Sequence, residues 1–125
     1  MKVLVIEDDR EILEVISVGF EMGWPEMKLV STRLGREGVE LAASENPDVV
    51  ILDLGLPDIT GFEVLKEIRA FSKVPILILT VRSDEADVVR GLEWGADDYM
   101  TKPFHQAELQ SRLEALIRPA DAPEP

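Results

Sequence analysis

A small set of side chains in this sequence carries chemistry that its neighbours do not explain. Glu7, Asp8 and Asp9 follow the apolar run "KVLVI", Asp53 ends "DVVILD", Thr80 ends "PILILT", and Lys102 follows "DDYMT" and precedes Pro103. Carboxylates gathered at one place repel one another and raise each other's pKa unless a cation neutralises them. A hard divalent ion is the natural remedy. Magnesium takes oxygen ligands, commonly one or two carboxylates with waters and a phosphate, and suits this donor set better than zinc or copper. With such an ion and Lys102 holding the incoming oxygens, Asp53 is placed to attack phosphorus and form an aspartyl phosphate.

These residues can meet only if the chain folds so that its strand ends share one rim. Five short aliphatic runs, "KVLVI", "MKLVS", "DVVILD", "PILILT" and "DDYMT", alternate with amphipathic patterns. Such a βα repeat predicts an α/β domain with a parallel sheet. The runs at 3–6, 49–52 and 76–79 are continuously apolar, as befits central strands covered by helices on both faces. Helices are expected at Arg10–Met22, Leu34–Ser44, Gly61–Phe71, Asp84–Trp94 and Gln106–Ile117, the last with Leu109, Leu113, Leu116 and Ile117 at helical spacing. In a doubly wound parallel sheet, function sits outside the carboxyl ends of the strands, which is where Glu7, Asp8, Asp9, Asp53, Thr80 and Lys102 fall.

Composition narrows the field further. The 125 residues suit one domain, and no apolar run approaches a membrane span. The opening "MKVLVIEDD" lacks the features of a secretory signal, which leads to the expectation of a cytoplasmic protein. Cysteine is absent, which excludes thiolate metal sites and nucleophiles. A net charge of -12 opposes binding to a phosphate backbone, so no nucleic acid is expected to bind this domain by itself. The last residues, 119–125, "PADAPEP", read as a linker or tail toward an effector domain, leaving residues 1–118 as the domain proper.

The motifs "VIEDD", "VVILDLGLPDITGFEVLKEIR", "VPILILT" and "GLEWGADDYMTKPF", in this order and spacing, resemble the receiver domain of response regulators in two-component signalling. The last block most resembles receivers attached to winged-helix DNA-binding domains. The resemblance implies a flavodoxin-like sheet of order 2-1-3-4-5 flanked by five helices. It also implies a phospho-switch that catalyses only its own phosphorylation and dephosphorylation, with Asp53 as phosphoacceptor and a sensor histidine kinase as donor. Asp8 would then be a direct Mg2+ ligand, Glu7 a ligand through water, and Gly55 a ligand through its backbone carbonyl. Lys102 would pair with the phosphoryl group or, before phosphorylation, with Asp53. Thr80 would hydrogen-bond a phosphoryl oxygen, Tyr99 would report the switch, and a cis bond would join Lys102 to Pro103. Relatives of this subfamily dimerise through their fourth helix, fifth strand and fifth helix.

Two of the ion-pairing residues of that surface stand here as Asp98 and Arg112. Glu108 is present too, but Val88 occupies the place of its usual cation, and Trp94 is expected to supply apolar contact at or near the interface. Arg90, two residues after Val88, points about 200° around the helix and does not substitute. Asp9 reads as a helix cap, Pro57 and Gly61 as shapers of the loop and helix entry, His105 as a surface residue, and Trp24 as packing at a turn. Val81 is bulkier than the small residue usual there, while Gly55 and Arg82 occupy positions that tune phosphoryl lifetime. Two rivals stand beside this reading. A haloacid-dehalogenase-type phosphatase uses a similar Asp, Thr, Lys and magnesium, but its nucleophile closes the first strand and a second Asp follows two residues on, where this chain has Gly55. The other rival is a receiver that works without phosphorylation.

Overall fold

The computed structural model describes residues 1–117. Arg118 and the expected tail at 119–125 lie outside the described residues. Ten elements alternate along the chain: β1 (Lys2–Ile6), α1 (Arg10–Gly23), β2 (Lys28–Thr32), α2 (Gly35–Ser44), β3 (Val49–Leu52), α3 (Gly61–Arg69), β4 (Ile76–Thr80), α4 (Glu85–Glu93), β5 (Asp98–Thr101) and α5 (Gln106–Ile117). The five strands form one parallel sheet in the order β2-β1-β3-β4-β5.

The continuous apolar runs end up on a sheet covered on both faces, and strand alternation sorts them into two cores. Val3, Val5, Val49, Ile51, Leu77 and Leu79 point toward α1 and α5, where Ile16, Phe20, Leu109 and Leu113 meet them. Leu4, Ile6, Val50, Leu52, Ile76 and Ile78 point the other way, against Ala42 of α2 and Phe62, Val64, Leu65 and Ile68 of α3. Trp24 packs at the end of α1, buried and edge-on to Phe20 with ring centroids 5.7 Å apart. α4 is held differently: its one buried residue is Gly91. A Cβ there would meet Ile78 Cδ1 at 2.8 Å and the Tyr99 ring at 3.4 Å, so glycine lets this helix lie against β4 and β5.

Element ends differ from the sequence expectations by a residue or two, for identifiable reasons. Leu34 and Asp84 serve as N-caps of α2 and α4 and lie outside them, while Trp94 is the C-cap of α4. α3 stops at Arg69, whose guanidinium holds the exit by bonding the carbonyls of Ser72, Val74 and Gly95 and the Asp97 carboxylate. Asp9 caps α1 by accepting the Glu11 N–H at 2.9 Å. β2 runs one residue past its expected end, to Thr32.

Candidate functional site

The strand ladders extend just beyond their last residues and thereby fix the acids. The Glu7 N–H donates to the Thr32 carbonyl and the Asp53 N–H to the Ile6 carbonyl, each at 3.0 Å. The Lys102 N–H donates to the Thr80 carbonyl at 2.8 Å, and the Lys102–Pro103 bond is cis. Close packing beneath the site comes from Gly61, whose Cβ position lies 2.3 Å from the Asp53 carbonyl oxygen, a space only glycine leaves open. Thr60 caps α3 by accepting the Glu63 N–H, completing the entry.

A cleft of about 230 Å³ at this rim gathers Glu7, Asp8, Asp9, Asp53, Gly55, Thr80 and Lys102, with Val81 and Arg82 at its mouth. Larger grooves lie elsewhere, near Trp24 and Gln110 and along α1 beside Gln106, but neither gathers buried charged groups. Glu7, Asp53 and Thr80 are buried. The Lys102 ammonium lies between the two acids: it pairs closely with Glu7 Oε1 and stands 3.3 Å from Asp53 Oδ2. The expected pairing of Lys102 with Asp53 is present, and the structure adds Glu7 as a second partner. Gly55 donates its N–H to Asp53 Oδ1 at 3.4 Å, and open space lies where its side chain would be.

The two acids answer differently to the shared cation. Burial pushes the Glu7 carboxyl up to about 7, against the lowering effect of Lys102 and the Asp9 N–H. Burial acts on Asp53 in the same direction, but Lys102, Glu7, Thr80 and the Gly55 N–H together hold it below its ordinary value. Of the two acids, Asp53 is the one whose ionised form this setting favours.

Asp8 is half-exposed and paired with Arg33, whose Nη2 lies 3.3 Å from Asp8 Oδ1. Among the described residues, no three acidic or histidine side chains are already gathered as a metal cage. The donor set nonetheless fits a hard ion that keeps most of its waters: the carboxylates of Asp8 and Asp53, with open space beside Gly55.

Thr80 Oγ1 accepts the Arg82 N–H at 3.4 Å, and the Tyr99 hydroxyl donates to the Arg82 carbonyl at 2.6 Å, so both switch candidates touch the β4–α4 loop. Val81 is 73% exposed and shields the rim little. His105 is exposed, as expected. On the α4–β5–α5 side, Val88, Tyr99, Glu108 and Arg112 line one groove. Arg112 is already satisfied within the chain, forked onto Asp98 at 3.0 and 3.1 Å and onto Glu108 at 3.0 Å. Trp94 is 41% exposed. It stands edge-on to Phe62 of α3 at 6.0 Å, with the Arg90 guanidinium over both rings at 4.2 and 4.5 Å. Aromatic and cation–π attraction draws it toward α3, off the groove that Val88 lines.

The sequence reading missed Arg33 and Asp58. Asp58 accepts the N–H groups of Gly35 and Arg36 at 2.8 and 2.9 Å, tying the loop after Asp53 to the start of α2. Because β2 lies beside β1, the residue following β2 was a candidate neighbour of the β1 acids.

A buried aspartate at the end of β3, sharing a cleft with a lysine and a threonine from the ends of β5 and β4, is the arrangement of a class of signalling domain. The chain belongs to the response regulator receiver domain family, whose model matches residues 3–114. Receiver domains are phospho-switches of two-component signalling. The chain is 45% identical over 119 residues to the cell cycle response regulator CtrA of Brucella ovis, a match that covers 94% of this chain and 50% of that protein. It thus spans about half the length of the curated relatives it matches. Among solved structures, the beryllofluoride-activated receiver domain of RstA from Klebsiella pneumoniae superposes with a TM-score of 0.87 at 32% identity, covering 95% of this chain and all of that one. A Francisella response regulator receiver domain gives 0.86 at 33% identity, covering 93% and 95%. No helix among the described residues is long and apolar enough to cross a membrane.

Proposed function

We propose that Asp53 accepts a phosphoryl group from a phosphohistidine on a sensor histidine kinase and that the domain passes this event to an effector through α4, β5 and α5. One observation carries the reading: Asp53 is buried at the end of β3 with the Lys102 ammonium 3.3 Å away, in a cleft shared with Thr80. An Asp53 carboxylate oxygen bonds to phosphorus as the phosphorus–nitrogen bond breaks, and the imidazole leaves with its electron pair. Asp8, Asp53 and the Gly55 carbonyl would hold Mg2+, with Glu7 acting through water. When bound, the ion would offset charge on the phosphoryl oxygens. Lys102 moves from Asp53 to a phosphoryl oxygen, and Thr80 offers its hydroxyl to another.

Tyr99 follows Thr80, because both are tied to Arg82 and a shift of the hydroxyl loosens the β4–α4 loop. α4 responds most readily, having Gly91 as its one buried residue. The resulting surface supports a homodimer that is weak: Asp98, Glu108 and Arg112 already satisfy one another, and Val88 brings no cation. The effector is read as a DNA-binding domain that controls transcription, with DNA contact made there rather than by this acidic domain.

Acetyl phosphate with magnesium, followed by hydroxylamine, tests the reading. The switch accumulates a hydroxylamine-labile acyl phosphate. Rapid release of inorganic phosphate with no accumulated intermediate would return the phosphatase reading, and no uptake at all the phosphorylation-independent one.

A further inference from the structure

The β2–α2 turn delivers a cation to the site that the phosphoacceptor chemistry does not use. β2 pairs in parallel with β1, Thr32 opposite Ile6, so the residues that follow run side by side off the rim. The turn is pinned at both ends. Thr32 Oγ1 accepts the Leu34 N–H at 3.2 Å, and Asp58 holds the N–H groups of Gly35 and Arg36. Between these anchors Arg33 reaches across to β1. Its Nε donates to the Asp8 carbonyl at 3.0 Å, and its Nη2 stands 3.3 Å from Asp8 Oδ1. The acids at this rim therefore have separate counterions, Lys102 for Glu7 and Asp53 and Arg33 for Asp8.

We propose that Arg33 is a positioning residue that weakens magnesium binding, by holding the Asp8 carboxylate as its own counterion when no metal is present. The proposal rests on the magnesium reading above. A divalent ion bound by Asp8 competes with the guanidinium for the same carboxylate and is repelled by it at short range. The repulsion persists after binding, because the Nε contact is made to a backbone carbonyl and does not depend on the charge of Asp8. Its size is modest, since both side chains of the pair are nearly half exposed. The device lets magnesium occupancy respond to concentration, where a bare acid cluster would fill at lower levels.

Titration calorimetry with magnesium alone tests this on the chain of residues 1–125, at two salt concentrations, with circular dichroism to check folding. Arg33→Ala and Arg33→Gln should each bind magnesium about threefold to fivefold more tightly than the unaltered chain, the scale of one half-exposed ion pair. The gap should narrow at high salt as screening shortens the reach of the charge, a trend that lost packing alone does not produce. Asp8→Asn should lose most of the affinity. If Asp8→Asn binds as the unaltered chain does, the magnesium reading fails and this proposal with it. If Asp8→Asn loses binding while both Arg33 variants bind equally or more weakly, Arg33 orients Asp8 for the metal and the proposal alone is overturned.

Discussion

At the rim Lys102 is divided between Glu7 and Asp53, and on the α5 side Arg112 is divided between Asp98 and Glu108. The plan is the same, one cation forked between two acids, but the setting is not. The rim side chains are 10%, 3% and 11% exposed, and those of the outer cluster are 42%, 25% and 48% exposed. In the first cluster burial raises both acids; it prevails at Glu7, whereas Lys102 and the hydrogen bonds of Glu7, Thr80 and the Gly55 N–H hold Asp53 down. In the second, water screens each charge and the geometry does little beyond satisfying the guanidinium. Burial magnifies what the arrangement of charges does, and that separates the rim from the outer cluster.

The contrast breaks most visibly at Lys102. Lys102→Met should destabilise the metal-free domain by about 3–5 kcal/mol at pH 8, because removing one partner leaves buried charge uncompensated. Urea unfolding measures it, and the loss should shrink at pH 5, where Glu7 carries a proton.

Glu7 sharpens the comparison through pH. Its folded pKa, about 7, lies above its ordinary value of 4.5, so the folded state binds this proton more tightly than the unfolded one. Its contribution is fully present below about pH 4.5 and is lost as pH rises through 7, by up to roughly 3 kcal/mol. Asp53, held below its ordinary value, has the opposite sign and acts in a more acidic window. Glu7→Gln should therefore flatten the fall in melting temperature between pH 4.5 and 7.

The outer cluster should give far less. Arg112→Ala is expected to cost under about 1 kcal/mol, with no change of slope against pH near neutrality. A cost near that of Lys102→Met would undo the distinction. Smallest of all is the association effect: Val88→Arg should tighten the dimer of the beryllofluoride-activated domain a few-fold in sedimentation, by giving Glu108 a cation across the interface.

The βα alternation and the acids are legible because both rest on local pattern, whereas the strand order comes only with the family resemblance. Unbroken runs such as "VVIL" mark strands buried on both faces, and the polar residue that ends each run necessarily lands at the rim. What escaped depends on pairing between distant segments. A second strand expected at 27–31 leaves Thr32 and Arg33 in a loop, and with them the counterion of Asp8. Asp58 caps a helix that begins 23 residues earlier, which no local signal records. The Glu7 contact of Lys102 stays hidden because burial of Glu7 cannot be read from "VIEDD". The packing of Trp94 on Phe62 and Arg90 is not legible either, because it needs the α3–α4 geometry.

The central claim, that the buried acid of β3 is the reactive one, is tested most directly by intact-mass measurement after incubation with acetyl phosphate and magnesium. Asp53→Asn keeps the shape of the side chain but makes a poor nucleophile. The unaltered chain should gain the mass of one phosphoryl group, and the variant, folded by circular dichroism, should gain none. A variant that still gains that mass would show that another residue is the acceptor, and would contradict the account.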